Sequence, residues 1–230
     1  MENKLIFKAF KAVDDLEMCK KYLEGHVSVL KDYGITNITS NNNEWMFHPQ
    51  MYCVVAINTQ NELVGGIRVQ VADMITPLPV EKAIGRMDDT IYKVVKNYHE
   101  NGGVGELCAL WISKKVAGLG ISVLLTRAGI SVTNQLDIKT LVGICADYTL
   151  KMFKQVGFQV DNTLGTNGEF PYPNSTYVAR VLGIMNAESL ESAAEYDKER
   201  MRSLRLNPIQ NHLEKETSES ILVEYNLIIP

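Results

Sequence analysis

The sequence predicts an α/β domain built on one mixed sheet. Three observations support this prediction: strand-like and helix-like apolar segments follow each other irregularly, two strands form a hairpin, and a glycine-bearing turn joins a strand to a helix. A regular βαβ repeat would alternate strands and helices without a hairpin. The chain has 230 residues, of which 46% are hydrophobic and 22% charged, so it is long enough for one such domain.

The first half of the chain contains two predicted helices among four predicted strands. Asp14 and Asp15 are typical of a helix start and Gly34 of a helix end. Apolar residues recur at helical spacing from Glu81 to Tyr98, after two prolines that break the preceding strand. The predicted strands cover 4–9, 52–57, 63–71 and 104–113, and the second and third form the hairpin.

The second half continues with alternating elements and ends in a strand. Its predicted helices cover 118–134, 147–156 and 187–204, and its predicted strands cover 139–145, 176–183 and 221–229. The last strand is expected either to complete the sheet or to pair with another subunit in a homodimer.

The turn that follows the strand 104–113 is the most informative segment. It reads Lys115-Val-Ala-Gly-Leu-Gly120 and leads directly into an amphipathic helix. A turn of this kind points several backbone N–H groups at one place, next to the positive end of a helix dipole. The two glycines allow close approach, so the turn predicts a site for a phosphate-bearing ligand.

Three motifs in order resemble those of the GNAT superfamily of N-acetyltransferases. The turn is similar to the family signature Arg/Gln-x-x-Gly-x-Gly/Ala, with Lys115 in the place of Arg or Gln. The segment from Cys145 to Phe158 resembles a later motif that ends in Gly-Phe, and Glu62-Leu-Val-Gly65 resembles the family's hairpin. The resemblance implies a central, mostly antiparallel twisted sheet with helices on both faces and a V-shaped splay between strands four and five.

The resemblance also implies a domain organisation. It covers residues 1–183 as an acyltransferase domain, with a helical insert at about 77–103. Residues 184–230 are then expected to form a helix and strand extension packed on the same domain.

A narrower resemblance concerns acyl-homoserine lactone synthases and N-acyl amino acid synthases. It rests on Gly66-Ile-Arg-Val69, Leu78-Pro-Val-Glu81 and Gly105-Glu-Leu-Cys-Ala-Leu110. The strand motif of these enzymes is Glu-x-Ser-Arg, of which this chain keeps Glu106 but has Cys108 and Ala109 at the last two positions. This branch implies an acyl carrier protein as an alternative donor.

The resemblance implies that the chain is an acyltransferase. It would move an acetyl or longer acyl group from acyl-CoA to the amine of a small molecule by direct attack, without a metal. The alternatives are an N-acyl amino acid or autoinducer-type synthase that uses acyl carrier protein, and a degenerate GNAT fold that binds a ligand without catalysis. The residues expected to bind the donor are Leu110, Trp111, Ile112, Lys115, Val116, Ala117, Gly118, Leu119, Gly120, Ile121 and Ser122.

Candidate catalytic residues follow from the needs of amine acylation. Glu106 lies on the strand next to the expected thioester and is the candidate base. The family often has a tyrosine that acts as general acid at the position of Phe153 in this chain. Tyr148 is the candidate substitute for this acid, and a packing role for Tyr148 is the alternative. Arg68 is either a clamp for a substrate carboxylate or an edge-strand charge.

Composition excludes several classes of protein. The net charge of −4 argues against a nucleic-acid binder, and no apolar run approaches the ~20 residues of a membrane helix. The four histidines share no metal-ligand spacing, and the four cysteines form no Cys-x-x-Cys pair. The polar N-terminus does not resemble a signal peptide, so we expect a cytoplasmic protein with reduced thiols.

Overall fold

The computed structural model describes residues 3–32, 34–35, 42–217 and 219–230. Within these ranges the chain forms ten strands and six α-helices. The strands are β1 (Asn3–Lys11), β2 (Met51–Asn58), β3 (Leu63–Val71), β4 (Val104–Ile112), β5 (Thr140–Ala146), β6 (Gln159–Val160), β7 (Glu169–Phe170), β8 (Ala179–Ile184), β9 (Ile209–Glu214) and β10 (Ile221–Asn226). The helices are α1 (Leu16–Asp32), α2 (Pro79–Ile84), α3 (Thr90–Glu100), α4 (Ile121–Ser131), α5 (Leu150–Gln155) and α6 (Glu195–Leu206).

One mixed sheet contains all of these strands. Its order is β6-β8-β5-β4-β3-β2-β1-β10-β9, with β7 paired to β8. The described pairs are antiparallel except β1 with β10 and β4 with β5. The predicted α/β class and the mostly antiparallel sheet are therefore confirmed.

Helices cover both faces of this sheet, as the alternation along β2 shows. Val54 and Ala56 pack in the core that contains α4 and α6, whereas Cys53 and Val55 pack under α1. The short helices α2 and α3 pack beside α1 on the second face, around Val104. None of the helices in the described ranges has the length and apolar character that crossing a membrane requires.

The sheet is split between β4 and β5. These two strands pair only from Val104 to Glu106 and from Thr140 to Val142. Beyond this point β4 continues along β3 and β5 continues along β8, so the facing edges of β4 and β5 separate. This is the predicted V-shaped splay, and it exposes backbone groups that a closed sheet would pair.

The prediction of one continuous helix from Glu81 to Tyr98 is wrong. The structure has α2 and α3 instead, separated by residues 85–89. The Asp88 carboxylate accepts hydrogen bonds from the N–H groups of Thr90 and Gly165, which fixes a new helix start. Both helices bury the same side, so the apolar residues keep a helical spacing across residues 85–89. The spacing alone therefore did not reveal the break between the helices.

Two predictions in the C-terminal part also need correction. The last helix begins at Glu195, not at residue 187, because Asn186 folds the backbone into a turn through the N–H groups of Glu188 and Ser189. The strand β9 was not predicted, since its side chains up to Leu213 alternate between exposed and half-buried and most are polar. The final strand β10 completes the sheet between β1 and β9.

Gly25 gives a stability prediction that opposes helix propensity. In most helix interiors Gly→Ala stabilises by about 0.5–1 kcal/mol. A Cβ at Gly25, however, would lie 2.6 Å from Cζ2 and 2.8 Å from Cζ3 of the Trp111 ring. We expect Gly25→Ala to destabilise by about 1–3 kcal/mol, as overpacking does, which urea unfolding measures. A gain in stability would contradict the close packing of α1 on β4.

Candidate active site

A cavity of about 210 Å³ opens at the splay between β4 and β5. Its floor is formed by β4 and β5, and its walls come from α1, the turn after β5 and the loop before β8. The lining residues used below are His26, Pro79, Glu106, Leu110, Tyr148 and Phe153. Two sequence-predicted catalytic residues, Glu106 and Tyr148, thus line one cavity.

Glu106 is fully buried at the floor of this cavity. Its Oε2 accepts a hydrogen bond of 2.7 Å from the Val80 N–H, whereas its buried Oε1 has no donor among the described residues. Burial raises the pKa of the carboxyl to about 8, against the opposing effects of the Val80 hydrogen bond and Arg68. A carboxyl with such a pKa exchanges protons near neutral pH.

The backbone of β4 changes direction next to Glu106. The register with β3 shifts between the pairs Arg68–Cys108 and Gly66–Trp111, and Ala109 between them has a φ of 52°. The Ala109 carbonyl accepts a 2.5 Å hydrogen bond from the Tyr22 hydroxyl on α1. This bulge inserts one extra residue into β4. After the bulge, the residues that direct their backbone groups toward β3 are therefore the alternate set to those before it.

The bulge determines which backbone groups of the predicted donor site face the splay. The Ser113 N–H bonds to the Val64 carbonyl of β3, so Trp111, two residues earlier, also directs its backbone groups toward β3. The Trp111 side chain is buried under α1. The backbone groups of Leu110 and Ile112 instead face the splay.

The glycine-bearing turn follows β4 and leads into α4. Gly118 and Gly120 have φ values of 81° and 75°, which other residues rarely adopt. A Cβ at Gly118 would meet nothing within 4 Å. Four backbone N–H groups at this turn have no acceptor among the described residues, namely those of Gly118, Gly120, Ile121 and Ser122. The turn thus presents the donors that an anion requires.

The charged side chains around the turn are already paired. The exposed Lys115 Nζ lies 2.8 Å from the Glu62 carboxylate, and Lys114 Nζ lies 2.9 Å from that of Asp32. Glu216, in the connection between β9 and β10, lies against Gly120, where an added Cβ would come within 2.6 Å of the Glu216 Cβ. The turn therefore offers backbone donors more than free positive charge.

The remaining predicted donor residues differ in what they expose. Val116 and Ile121 are buried, so only their backbone faces the turn. Ala117 is exposed, and Leu119 and Ser122 are half-buried. This segment follows Leu110 and Ile112 in the chain, so the predicted donor residues extend from the splay to the start of α4.

The sequence predictions also concern Tyr148, Phe153 and Arg68, which lie in different places. Tyr148 is 76% exposed at the cavity rim, in the turn after β5. Phe153 lines the cavity and packs edge-on against Phe158. Arg68 is 1% exposed and lies under α1, where it lines a second, smaller pocket and not the main cavity.

His26 also lines the cavity, and sequence reasoning missed it. It is 4% exposed on α1, and its Nδ1 has no hydrogen-bond partner within the described residues. Burial, aided by Arg68, lowers its pKa to about 3, so the imidazole is neutral. The available signal was its place four residues after Tyr22, which puts both on the buried side of α1.

Comparison with known proteins gives a fold but no close relative. No family model matches the sequence, and no curated protein sequence matches it. Solved structures do match. FeeM, an N-acyl amino acid synthase from uncultured soil microbes, is 12% identical with a TM-score of 0.60, over 77% of this chain and 96% of that one.

Two other structures agree with the first. The CoA-dependent acyl-homoserine lactone synthase BjaI, with SAM and isopentyl-CoA, is 11% identical with a TM-score of 0.54, over 86% of this chain and 88% of that one. An acyl-CoA N-acyltransferase from Pseudomonas aeruginosa is 11% identical with a TM-score of 0.54, over 78% and 98%. The chain therefore has the fold of the GNAT acyltransferases.

Proposed function

We propose that the protein is an N-acyltransferase that moves an acyl group from acyl-CoA to the amine of a small molecule. The observation that carries this proposal is the shared cavity of Glu106 and Leu110 at the splay of the sheet. The cavity combines a proton acceptor with backbone groups of β4 that face the splay. These are the two groups that acylation of an amine requires.

The chain's own residues account for each part of the reaction. The turn from Lys115 to Ser122 binds the pyrophosphate of the donor through its backbone N–H groups, and the edge of β4 at Leu110 and Ile112 binds the arm that carries the thioester. The Leu110 N–H polarises the thioester carbonyl. Positioning of both reactants in one cavity lowers the entropic barrier.

The bond changes balance without a further reactant. The amine nitrogen forms a bond to the carbonyl carbon, the Glu106 carboxylate takes the proton from nitrogen, and the carbon–sulfur bond then breaks. The thiolate leaves with the bond's electron pair and takes a proton from Tyr148 or from water. Because Tyr148 lies at the exposed rim and Phe153 lacks a hydroxyl, water is the simpler proton source.

Release of free thiol tests this proposal directly. We expect acyl-CoA thioesters, from acetyl-CoA to longer chains, to release CoA only when an amine is present. Release from acyl carrier protein thioesters alone would replace CoA by the carrier protein as donor. Tight binding of acyl-CoA without release of CoA in the presence of any amine would overturn the catalytic proposal. It would favour the alternative of a ligand-binding module, which the lack of a tyrosine hydroxyl at Phe153 supports.

Gly118→Asp should weaken acyl-CoA binding about tenfold or more, since about 1.4 kcal/mol of repulsion has that effect. The new carboxylate would stand among the N–H groups that bind phosphate, in a position open enough to receive it. Calorimetric titration with acetyl-CoA measures the change in Kd.

Gly34→Asp is the matched control for Gly118→Asp. Gly34 has a φ of 68°, and no atom of the described residues lies within 4 Å of an added Cβ, so an Asp there carries the same backbone strain. It lies two residues after the end of α1 and outside the turn from Lys115 to Ser122. Equal Kd values for wild type and Gly118→Asp would show that the turn does not bind the donor.

A further inference from the structure

A second pocket of about 70 Å³ lies beside the main cavity on the α1 face of the sheet. Its base is formed by Arg68 and Gln70 of β3, and its walls by residues 42–48 and by α2. Pro79 lines both this pocket and the main cavity, so the two are neighbours. The lining residues are Asn42, Glu44, Trp45, His48, Met51, Arg68, Gln70, Thr76, Pro79 and Lys82.

Two buried hydrogen-bond donors in this pocket have no acceptor among the described residues. The indole Nε1 of Trp45 and the amide Nε2 of Gln70 are both buried, and no described residue accepts from them. The two residues are only 7% and 4% exposed. An unpaired buried N–H group is costly, so donors that share a pocket indicate an acceptor-rich ligand.

The charge of the pocket also favours an anion. The Arg68 guanidinium is 1% exposed and lies 4.1 Å from the centre of the Trp45 ring. At the walls, Glu44 and Lys82 have opposite charges. Arg68 is the charged side chain at the base, and His48 at the wall lies 3.3 Å from the carboxylate of Asp73. The small volume suits a carboxylate.

The pocket lies one strand away from the candidate base. Gln70 pairs with Glu106 in the β3–β4 register, and Arg68 pairs with Cys108. Directly opposed residues on one face of a sheet have Cβ atoms about 4.5–5.5 Å apart. A ligand anchored at Gln70 therefore reaches Glu106 over a few bonds.

We propose that this pocket binds the carboxylate of the acyl acceptor, and that the acceptor is a free α-amino acid. This inference rests on the proposed acyltransferase function. Trp45, Gln70 and Arg68 hold the carboxylate, and the amine two bonds away then lies toward Glu106 and the splay. An amine without a carboxylate leaves the N–H donors of Trp45 and Gln70 unpaired, so it is a poorer acceptor. A peptide is a poorer acceptor as well, because it carries a neutral amide in place of the α-carboxylate.

Paired acceptors test the proposal in the wild-type protein. Phenylalanine, leucine and other amino acids are each compared with the amine that lacks the carboxylate, such as phenethylamine and isopentylamine, and with the amino acid amide. We expect kcat/KM for the preferred amino acid to exceed that for its decarboxylated partner about hundredfold or more. Acylation of both at similar rates would overturn the subsite and leave the acyltransferase function intact.

Two conservative variants assign the effect to the pocket. Gln70→Leu removes the side-chain amide and Trp45→Phe removes the indole N–H, and each variant keeps most of the side-chain volume. We expect the KM for the amino acid to rise about tenfold to hundredfold in each, because a hydrogen bond to a charged group is lost, with the KM for the acyl donor unchanged. Tyr52→Phe is the control, since it loses a hydroxyl on the opposite face of the sheet.

A binding measurement separates this proposal from catalysis. The chain has two tryptophans, so Trp45 contributes a large share of the fluorescence. We expect the preferred amino acid to change the emission of the wild type and not that of Trp45→Phe. Binding without any acyl transfer would support the subsite and reject the acyltransferase function, whereas no binding of any amino acid would reject the subsite.

Discussion

Glu106→Gln should lower kcat about a hundredfold or more, the range for loss of a positioned general base. Gln keeps an oxygen to accept from the Val80 N–H, so the local fold is retained. It cannot take the proton from the attacking amine. Steady-state kinetics with acetyl-CoA or a longer acyl-CoA measures the loss, and the Kd for the donor should not change.

The pH dependence of the wild type gives a second signature of Glu106. Because burial raises its pKa to about 8, activity should rise with pH up to that value and then level off. Between pH 4.5, the ordinary pKa of the group, and about pH 8, the Glu106 carboxyl is protonated in the native protein but ionised in the unfolded chain. The free energy of unfolding should therefore fall across this range, and Glu106→Gln should lack this fall.

Glu81→Gln is the matched control for Glu106→Gln. Glu81 is also a buried carboxyl, its pKa is also raised by burial, and it also accepts a backbone hydrogen bond, from Leu78. It does not line the cavity, but its charge contributes to the raised pKa of Glu106, so Glu81→Gln should move the pH profile to lower pH without abolishing activity. If both variants lost activity equally, or if the pH profile of Glu106→Gln matched the wild type, Glu106 would not be the base.

Arg127→Met should have the largest effect on stability. Arg127 is 1% exposed on α4, and its guanidinium lies 2.6 Å from Asp197 of α6 and 2.5 Å from Glu216. Removal of one partner leaves buried carboxylates without a counter-charge, which typically costs about 3–5 kcal/mol. Urea unfolding at neutral pH measures the loss.

An exposed ion pair on α6 provides the contrast. Lys198 and Glu195 lie 2.6 Å apart, but the Glu195 side chain is 69% exposed. We expect Glu195→Gln to change stability by less than about 1 kcal/mol, as for other surface pairs. If Arg127→Met cost no more than Glu195→Gln, the buried cluster would not hold α6 and the β9–β10 connection on α4.

The sequence predicted those parts of the fold that depend on local pattern. The β2–β3 hairpin and the β4-turn-α4 unit have turn residues at their ends and clear periodicity, so their positions agree with the structure. The break between α2 and α3 depends on a hydrogen bond from Gly165 to Asp88, which is 77 residues away in sequence. Such long-range contacts leave no periodic signal.

The candidate site was predictable to a similar extent. Glu106 and the glycine turn belong to short motifs, so their resemblance to known enzymes was visible. The bulge that turns Trp111 away from the splay has no such motif, since Ala109 shows nothing unusual in sequence. Arg68 and Gln70 gave a weaker signal, as two polar residues at a spacing of two in an apolar strand.

The parallel pairing of β1 with β10 affects how the chain folds during synthesis. Asn3 lies opposite Ile221, so the first strand gains its second neighbour only when the last strand is made. Pairing across so great a separation slows folding, because loop closure precedes the contact. Until then β1 has an unpaired edge, which favours aggregation. The nascent chain therefore carries this unpaired edge from the synthesis of β1 until β10 has been made.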